Sequence, residues 1–220
     1  DLRIQYKDFA SWQLNLLDGD GLKSDRDYWL DTLSGTLPVI DLPHSHKRPR
    51  VKTHNGQNMV THLDQVDTSQ LKRYAEENNG TPFMVALAVW NVLMARYTNL
   101  NDIIIGTPVA GREHAELENQ IGFYVNTVVL RNEVLPEDNF DQFFKRLREN
   151  TLKSYAHQAY PFDRLLEDLN PPRDTSRNVV FDISITYHNA TATESVGKLD
   201  KDYLETIHDF GKLKIKNDIE

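Results

Sequence analysis

The chain has 220 residues, of which 39% are hydrophobic and 26% charged, and its formal net charge is −8. This composition is typical of a soluble globular protein, and the negative charge argues against binding to nucleic acid. Cysteine is absent, which excludes disulfides and cysteine zinc sites and favours a cytoplasmic location.

Two short amphipathic helices are predicted within residues 1–36. Apolar residues recur at helical spacing from Phe9 to Leu17, and Gly19 ends the pattern. Ser24 and Asp27 have the spacing of a capping box, which predicts that the second helix starts there.

A connecting loop is predicted for residues 37–55, where prolines and polar residues dominate. A basic cluster lies in this loop and consists of Lys47, Arg48, Arg50 and Lys52. We interpret the cluster as part of a solvated loop and assign it no partner.

Residues 56–189 carry the alternating pattern of an α/β core. Alternating polarity predicts a strand at residues 59–63, and a helix with an exposed face is expected at residues 68–78. Pro82 is typical of a first helical position, and the fifteen residues from it are apolar on nearly every side. We therefore expect this helix deep in the core.

The later part of the core is predicted to alternate between strands and helices. The predicted elements are strands at residues 102–109, 122–131 and 180–185, a helix at 139–157 and a short helix after Pro161. In the tail, residues 190–220, two further strands are predicted at 203–210 and 213–219. The chain lacks an initiator Met and stops within a predicted strand, so we expect a domain truncated at both ends.

No sequence motif predicts a complete catalytic site. A G-x-S-x-G elbow, a glycine-rich phosphate loop and a His-Glu-x-x-His pattern are all absent, which argues against hydrolase, nucleotide-binding and metalloenzyme functions. His44 and His46 are close in sequence, but they lie in the predicted loop and predict no metal site. We assign no catalytic residue and no metal ligand.

Polar residues within apolar segments are better candidates, because a buried polar group needs a partner. Asn126 must bond either the backbone of its own fold or a bound ligand. Arg173 and Arg177 flank Asp174 in a rigid turn, where they pair with it or brace another carboxylate. His157 lies at a predicted helix end, where an imidazolium suits the dipole and a role as a base is the alternative.

Four motifs stand in order along the chain. They are Tyr6-Lys-Asp-Phe-Ala-Ser-Trp12, Ile121-Gly-Phe-Tyr-Val-Asn-Thr127, His157-Gln-Ala-Tyr-Pro-Phe-Asp163 and Arg173-Asp-Thr-Ser-Arg-Asn178. In this order and spacing they resemble the later core motifs of condensation domains of nonribosomal peptide synthetases. Ser11, Tyr124, Ala159, Asp163 and Val179 depart from the pattern, and the family's H-H-x-x-x-D-G motif is absent.

The resemblance implies a chloramphenicol-acetyltransferase-like α/β lobe with a mixed sheet covered by helices. This chain would be the carboxy-terminal lobe of a domain that joins a carrier-bound acyl or peptidyl thioester to a carrier-bound aminoacyl acceptor. No cofactor would bind directly, because both substrates arrive on the phosphopantetheine of carrier proteins. Without H-H-x-x-x-D-G, the chain alone is expected to be inactive.

The resemblance also implies roles for the motif residues. Those that brace the tunnel or the lobe interface would be Asn126, Tyr124, Arg173, Asp174 and Arg177. Those that hold the motifs in shape would be Tyr6, Asp8, Trp12, His157, Pro161 and Phe162. The implied partners are the amino-terminal lobe, peptidyl carrier proteins and a neighbouring adenylation domain, with no nucleic acid and no membrane.

Two alternatives share this scaffold. One is a lobe that has lost its chemistry and only docks carriers or neighbouring domains. The other is a lobe of an epimerisation or heterocyclisation domain. The sequence upstream of Asp1 would separate the docking alternative from catalysis, because an intact H-H-x-x-x-D-G motif supports catalysis.

Overall fold

The structure is a computed structural model that describes residues 3–43, 47–53, 55–172 and 174–187. Its elements, in chain order, are α1 (Tyr6–Asp18), α2 (Lys23–Thr32), α3 (Gln65–Glu77), α4 (Pro82–Thr98), β1 (Asp102–Val109), a 3₁₀ turn (Ala115–Leu117), β2 (Asn126–Glu133), α5 (Phe140–Ala156) and α6 (Phe162–Leu169). The two predicted tail strands, His44, His46 and Arg173 lie outside the described residues.

The sheet is mixed, as the fold class predicts. β1 and β2 are antiparallel, with Ile105 opposite Leu130. A third segment joins β1 on its other side, where Gly106 N–H donates to the Ile183 carbonyl oxygen and Ile185 N–H donates to the Gly106 carbonyl oxygen, both at 2.9 Å. This third segment forms a single parallel bridge rather than the full strand predicted for residues 180–185.

Helices cover the sheet and bury its apolar side chains. α5 packs on β2, and α4 packs on both α5 and β1. The side chains of Ile103, Ile105, Leu130, Phe144 and Leu147 are at most 1% exposed. Burial of a side chain of this size stabilises a fold by about 1.5–3 kcal/mol, so this contact holds the layers together.

Helix starts follow local hydrogen bonding. Asn139 Oδ1 accepts the Gln142 N–H at 2.9 Å and the Gln142 side chain accepts the Asn139 N–H at 3.0 Å, which starts α5. Thr81 Oγ1 likewise accepts the N–H of Met84 at 3.2 Å. The predicted capping box at Ser24 is wrong: α2 begins at Lys23 and its N-cap residue is Leu22, so Ser24 lies inside the helix, two residues beyond the capping position.

α4 is buried on one face only, which corrects the prediction of a helix deep in the core. Its inner face includes Leu87 and Ala88, which are fully buried. Its outer face carries four exposed apolar side chains, Val89, Trp90, Leu93 and Tyr97. Composition showed that α4 is apolar all round, but it could not show that α3, α5 and β1 pack against the same side. None of the described helices is long and apolar enough to cross a membrane.

Residues 59–63 are not a strand, although their polarity alternates. Met59 is 89% exposed and Val60 is 77% exposed. A strand requires a ladder of hydrogen bonds with a neighbour, and among the described residues no strand pairs with this segment. Alternation alone therefore did not predict the structure here.

Candidate functional site

Asn126, the first residue of β2, is bonded entirely within the fold. Its Nδ2 donates to the carbonyl oxygens of Gln158 and Tyr160, both at 2.8 Å. Its Oδ1 accepts the N–H groups of Phe162 at 3.0 Å and Thr127 at 2.8 Å. These bonds use both N–H donors and both acceptor lone pairs of the carboxamide, and they join β2 to the turn between α5 and α6.

This turn contains the third motif, so the structure brings Asn126 together with His157, Pro161 and Phe162. His157 caps the end of α5, and Pro161 precedes the first residue of α6. The sequence left open whether the Asn126 side chain bonds the backbone or a ligand. In the structure it bonds backbone groups.

His157 is held by α2. Its Nδ1 lies 2.8 Å from Oδ1 of Asp25, and its ring stacks on Tyr28 with centroids 4.1 Å apart. Trp29 Nε1 donates to the His157 carbonyl oxygen at 2.8 Å. Asp25 is 132 residues from His157 in sequence, and no sequence signal pointed to it. With Nδ1 occupied by a carboxylate and one ring face covered, His157 serves as a tie between α2 and α5.

The aromatic residues of the first motif surround Tyr124. The ring of Tyr6 meets that of Tyr124 edge to face at 5.3 Å, and the ring of Phe9 lies 4.8 Å from it. Trp12 extends the cluster, with its ring 5.7 Å from Phe9. Asp8 accepts the Gln5 N–H at 2.8 Å and so fixes the start of the helix that carries these rings. The first and second motifs therefore form one contact.

A positively charged side chain also packs on the ring of Tyr124. The guanidinium carbon of Arg112 lies 4.2 Å from the centroid of the Tyr124 ring, a cation–π contact. Arg112 also donates to the carbonyl oxygen of Leu117. Gly111 has φ +64°, and a Cβ there would lie 1.9 Å from the Tyr124 carbonyl oxygen. Only glycine permits this approach, which locks the loop after β1 onto Tyr124.

The segment before Asn126 corrects a second prediction. The sequence predicted a strand from residue 122, covered on both faces, whereas β2 starts at Asn126. Tyr124 is buried, but Ile121 is 97% exposed and Phe123 is 77% exposed. Because Tyr124 packs into the aromatic cluster, the segment leaves the sheet and turns its other apolar side chains outward. We call Ile121, Phe123 and Val125 the apolar loop.

Arg131, which follows the second motif, ties three elements together. Its Nη2 donates to Oδ2 of Asp102 at 2.7 Å, across the β1–β2 pair. Its Nη1 donates to the carbonyl oxygens of Thr32 at 3.1 Å and Ser34 at 2.9 Å. These carbonyls lie at the end of α2, so Arg131 satisfies them and fixes α2 on the sheet.

Arg177 pairs with carboxylates other than Asp174. Its Nη2 donates to Oδ1 of Asp41 at 2.7 Å, and its Nη1 donates to Oδ2 of Asp182 at 2.8 Å and to the Ile40 carbonyl oxygen at 2.9 Å. Partial burial lowers the pKa of Arg177, but the bonds to Asp182 and Asp41 outweigh it and raise the pKa. The sequence left open a pair with Asp174 or a bond to another carboxylate, and for Arg177 the structure shows the second.

Asp174 stabilises its own turn. Its Oδ1 accepts the Ser176 hydroxyl at 2.7 Å and the Ser176 N–H at 2.8 Å. These bonds lower the pKa of Asp174, and the charges of Arg177 and Arg48 add to the effect. These hydrogen bonds of Asp174 and Arg177 connect neither residue to Asn126 or Tyr124.

A charged group near the third motif was not found from the sequence. Asp168 accepts hydrogen bonds from Arg26 at 2.8 Å and from the Tyr160 hydroxyl at 2.6 Å. Partial burial raises the pKa of Asp168, but these two bonds outweigh it and the pKa lies below its ordinary value. Burial and the bond to Asp168 raise the pKa of Tyr160 to about 12. This network joins α2 to α6.

The described residues contain no group of three histidine or acidic side chains placed to hold a metal ion. The described residues instead form a wall: β2, fixed by Asn126 and Arg131, lies beside the exposed apolar loop.

The family model of the condensation domain matches residues 1–219. This chain belongs to the condensation domain family.

Curated relatives agree with the family match. The condensation-domain chain is 42% identical over 207 residues to surfactin synthase subunit 1 of Bacillus subtilis (strain 168), covering 94% of the chain and 6% of that protein. It is 42% identical over 188 residues to tyrocidine synthase 3 of Brevibacillus parabrevis, covering 86% of the chain and 3% of that protein. The chain thus spans only a small part of the synthetases that it matches.

Solved structures confirm the fold of this condensation-domain chain. The four-domain nonribosomal peptide synthetase holo-AB3403, bound to AMP and glycine, superposes with a TM-score of 0.72 at 29% identity, over 74% of this chain and 12% of that one. The X-domain from teicoplanin biosynthesis superposes with a TM-score of 0.77 at 24% identity, over 83% of this chain and 42% of that one. The chloramphenicol-acetyltransferase-like α/β fold implied by the resemblance is therefore confirmed.

Proposed function

We propose that this chain is the carboxy-terminal lobe of a condensation domain. The complete domain would form an amide bond between a carrier-bound acyl or peptidyl thioester and a carrier-bound aminoacyl acceptor. The apolar loop supports this role, because it exposes Ile121 and Phe123 next to a residue, Asn126, that is fixed by four hydrogen bonds. An exposed apolar segment on a rigid base is typical of a surface that another protein covers.

The amino-terminal lobe would cover this loop in the complete domain. The chain matches 42% of the teicoplanin X-domain, so more than half of a domain of that size would come from elsewhere. Amide formation requires two tethered reactants held in register, and a stiff wall reduces the entropy cost of this alignment. In this proposal the lobe described here supplies the wall.

The histidine that positions the amine would come from the other lobe. H-H-x-x-x-D-G does not occur in this chain. His157 is a poor substitute, because its Nδ1 is paired with Asp25 and its ring is stacked on Tyr28. In this proposal Asn126, Tyr124 and Arg177 brace the tunnel or the lobe interface, and His157 holds its motif in shape.

Product analysis tests this function. We expect the complete domain, supplied with a donor-loaded and an acceptor-loaded carrier, to yield dipeptidyl carrier in intact-protein mass spectrometry. We expect the 220 residues alone to yield none. Dipeptide formed by the 220 residues alone would contradict the division of labour between lobes.

The same experiment separates the epimerisation and docking alternatives from condensation. An epimerisation domain would change the configuration at the α-carbon of the acceptor without a new amide, which chiral analysis of the released amino acid detects. A docking lobe would bind loaded carriers but give neither product. In both cases the proposed condensation activity is wrong.

A further inference from the structure

The basic cluster predicted to be a solvated loop is attached to the fourth motif. The backbone N–H of Lys52 donates to the Thr175 carbonyl oxygen at 2.8 Å. The Thr175 hydroxyl donates to the Arg50 carbonyl oxygen at 2.6 Å. Residues 47–53 and 174–178 are therefore bound to each other along their length, and we call the two segments together the basic edge.

Side chains strengthen the basic edge. Arg48 Nη1 donates to the Ser176 carbonyl oxygen at 3.4 Å, and Lys52 Nζ donates to Oδ1 of Asn178 at 3.2 Å. Bonds of both kinds restrict the backbone of this edge, so the points from which its cations project are defined. A cluster that is fixed in this way can recognise a partner without the entropy cost of ordering a free loop.

Lys47 and Arg50 are the cations that the basic edge presents outward. Both residues are exposed, and within the described part of the chain neither side chain forms an ion pair or a hydrogen bond. The two segments contain one carboxylate, Asp174, whose Oδ1 is bonded to Ser176. The basic edge therefore carries a net positive charge at its surface.

The rest of the molecule makes this charge selective. The chain as a whole has a formal net charge of −8, so an acidic partner is repelled by most of the surface and attracted at the basic edge. A field of this kind determines which face of an acidic partner approaches and in which orientation.

We propose that the basic edge docks the acidic face of a carrier protein. This inference rests on the proposed function, because that reaction requires a carrier as its partner. A carrier necessarily presents negative charge near its attachment point, since the phosphopantetheine arm contains a phosphodiester. Lys47 and Arg50 lie in the open rather than in an enclosed site, which suits a broad acidic protein surface better than a single phosphate.

Charge reversal at these two positions tests the docking surface. The probe is a purified carrier domain of the same synthetase, phosphopantetheinylated and fluorescently labelled, titrated with the full-length condensation domain in an anisotropy assay. We expect Lys47→Glu with Arg50→Glu to weaken binding by about tenfold at low salt, and the glutamine double variant to weaken it by about threefold. The affinity of the wild type should fall as salt rises, and the reversed variant should show little salt dependence.

The matched control is the double variant Lys72→Glu with Lys145→Glu. Both lysines are exposed, on α3 and α5, and the change in net charge is the same. We expect this control to change the affinity by less than about twofold, because both lysines lie on helices and neither belongs to the basic edge. Circular dichroism melting of all variants verifies that each is folded.

Three outcomes would overturn the inference. One is equal affinity of wild type and reversed variant; the second is an equal loss in the control. The third is binding of free phosphopantetheine that the reversed variant weakens to the same degree, which would assign the edge to the arm. Dipeptide formation by the wild type decides the proposed function separately, so amide product together with unaltered carrier affinity would contradict the docking surface alone.

Discussion

The side-chain oxygen of Asn126 accepts the backbone N–H of Phe162 at 3.0 Å, so the first residue of a strand sets the first turn of a helix 36 residues later. The Nδ2 of the same carboxamide binds the Gln158 and Tyr160 carbonyl oxygens, which precede that helix. β2 and α6 therefore take their relative position from one side chain.

We predict that Asn126→Ala destabilises the chain by about 2–4 kcal/mol, because it leaves two carbonyl and two N–H groups without their partner in a partly buried site. The free energy of unfolding in urea measures the loss. The control is Asn119→Ala, at an exposed position. A melting temperature equal to that of the wild type, with activity lost in the complete domain, would show that Asn126 acts on the reaction instead.

Gly111→Ala should be far more damaging than Gly35→Ala. Both glycines have positive φ, +64° and +75°, so each substitution incurs about 1–2 kcal/mol of backbone strain. Only at Gly111 would the new Cβ collide with backbone, the Tyr124 carbonyl oxygen at 1.9 Å, whereas nothing lies within 4 Å at Gly35. Thermal unfolding of the two variants compares strain alone with strain plus collision. Equal losses would mean that the loop after β1 moves away freely.

Asp168 should make the chain sensitive to acid. Its pKa is lower in the folded protein than in the unfolded chain, so the ionised carboxylate stabilises the fold above the unfolded pKa of about 4. This contribution disappears as the pH falls through the folded pKa. Asp168→Asn should therefore cost about 1 kcal/mol at pH 7, a value reduced by the solvent exposure of Arg26, and progressively less as the pH falls through the folded pKa.

Urea midpoints for wild type and Asp168→Asn between about pH 2 and 7 check this prediction. The control is Glu167→Gln, which removes an exposed pairing with Arg164 on the same helix. A constant difference between wild type and Asp168→Asn across that range would contradict the predicted linkage.

Phe123→Ser should separate folding from assembly. Phe123 is 77% exposed, so the stability of the isolated chain should change by less than about 0.5 kcal/mol. In the complete domain the same change should reduce dipeptide formation, because the apolar loop would lose contact with the other lobe. Leu152→Ser, at a 53% exposed position of α5, is the matched control. Equal rates for Phe123→Ser and wild type would argue that the loop faces solvent.

Local signals in the sequence predicted most elements. The strand predicted at residues 102–109 is β1, since three consecutive isoleucines need cover on both faces. Thr81 followed by Pro82 predicted the start of α4, and Asn139 predicted the start of α5. Both predictions succeed because a capping side chain bonds an N–H group only three residues away in sequence. The ordered motifs indicated the family, which the match to residues 1–219 shows.

The errors arise where distant residues decide. Residues 59–63 have the alternating polarity of a strand, but no strand among the described residues pairs with them. Whether a segment finds a pairing strand depends on the rest of the fold, so the segment's own sequence could not show it. β2 starts at Asn126 because Tyr124 packs on Tyr6, a contact between residues far apart in sequence. The link between Asp25 and His157 spans 132 residues and has no local pattern.

The candidate site was predicted in part. A need for partners at Asn126 and Arg177 follows from the cost of burying polar groups, but the identity of those partners requires coordinates. The basic cluster lies in an exposed loop, as predicted, but its attachment to Thr175 was not foreseen, because it depends on how the loop returns to the fourth motif.

The outer face of α4 limits how the isolated chain can be handled. Trp90 and Tyr97 on this face are 43% and 60% exposed. The same apolar face of a second molecule can pack against it, so reversible self-association should increase with protein concentration. Light scattering across a dilution series would locate the onset. Titrations with carrier should be run below the concentration of this onset, where a change in anisotropy reports the binding of one carrier to one molecule rather than to an aggregate.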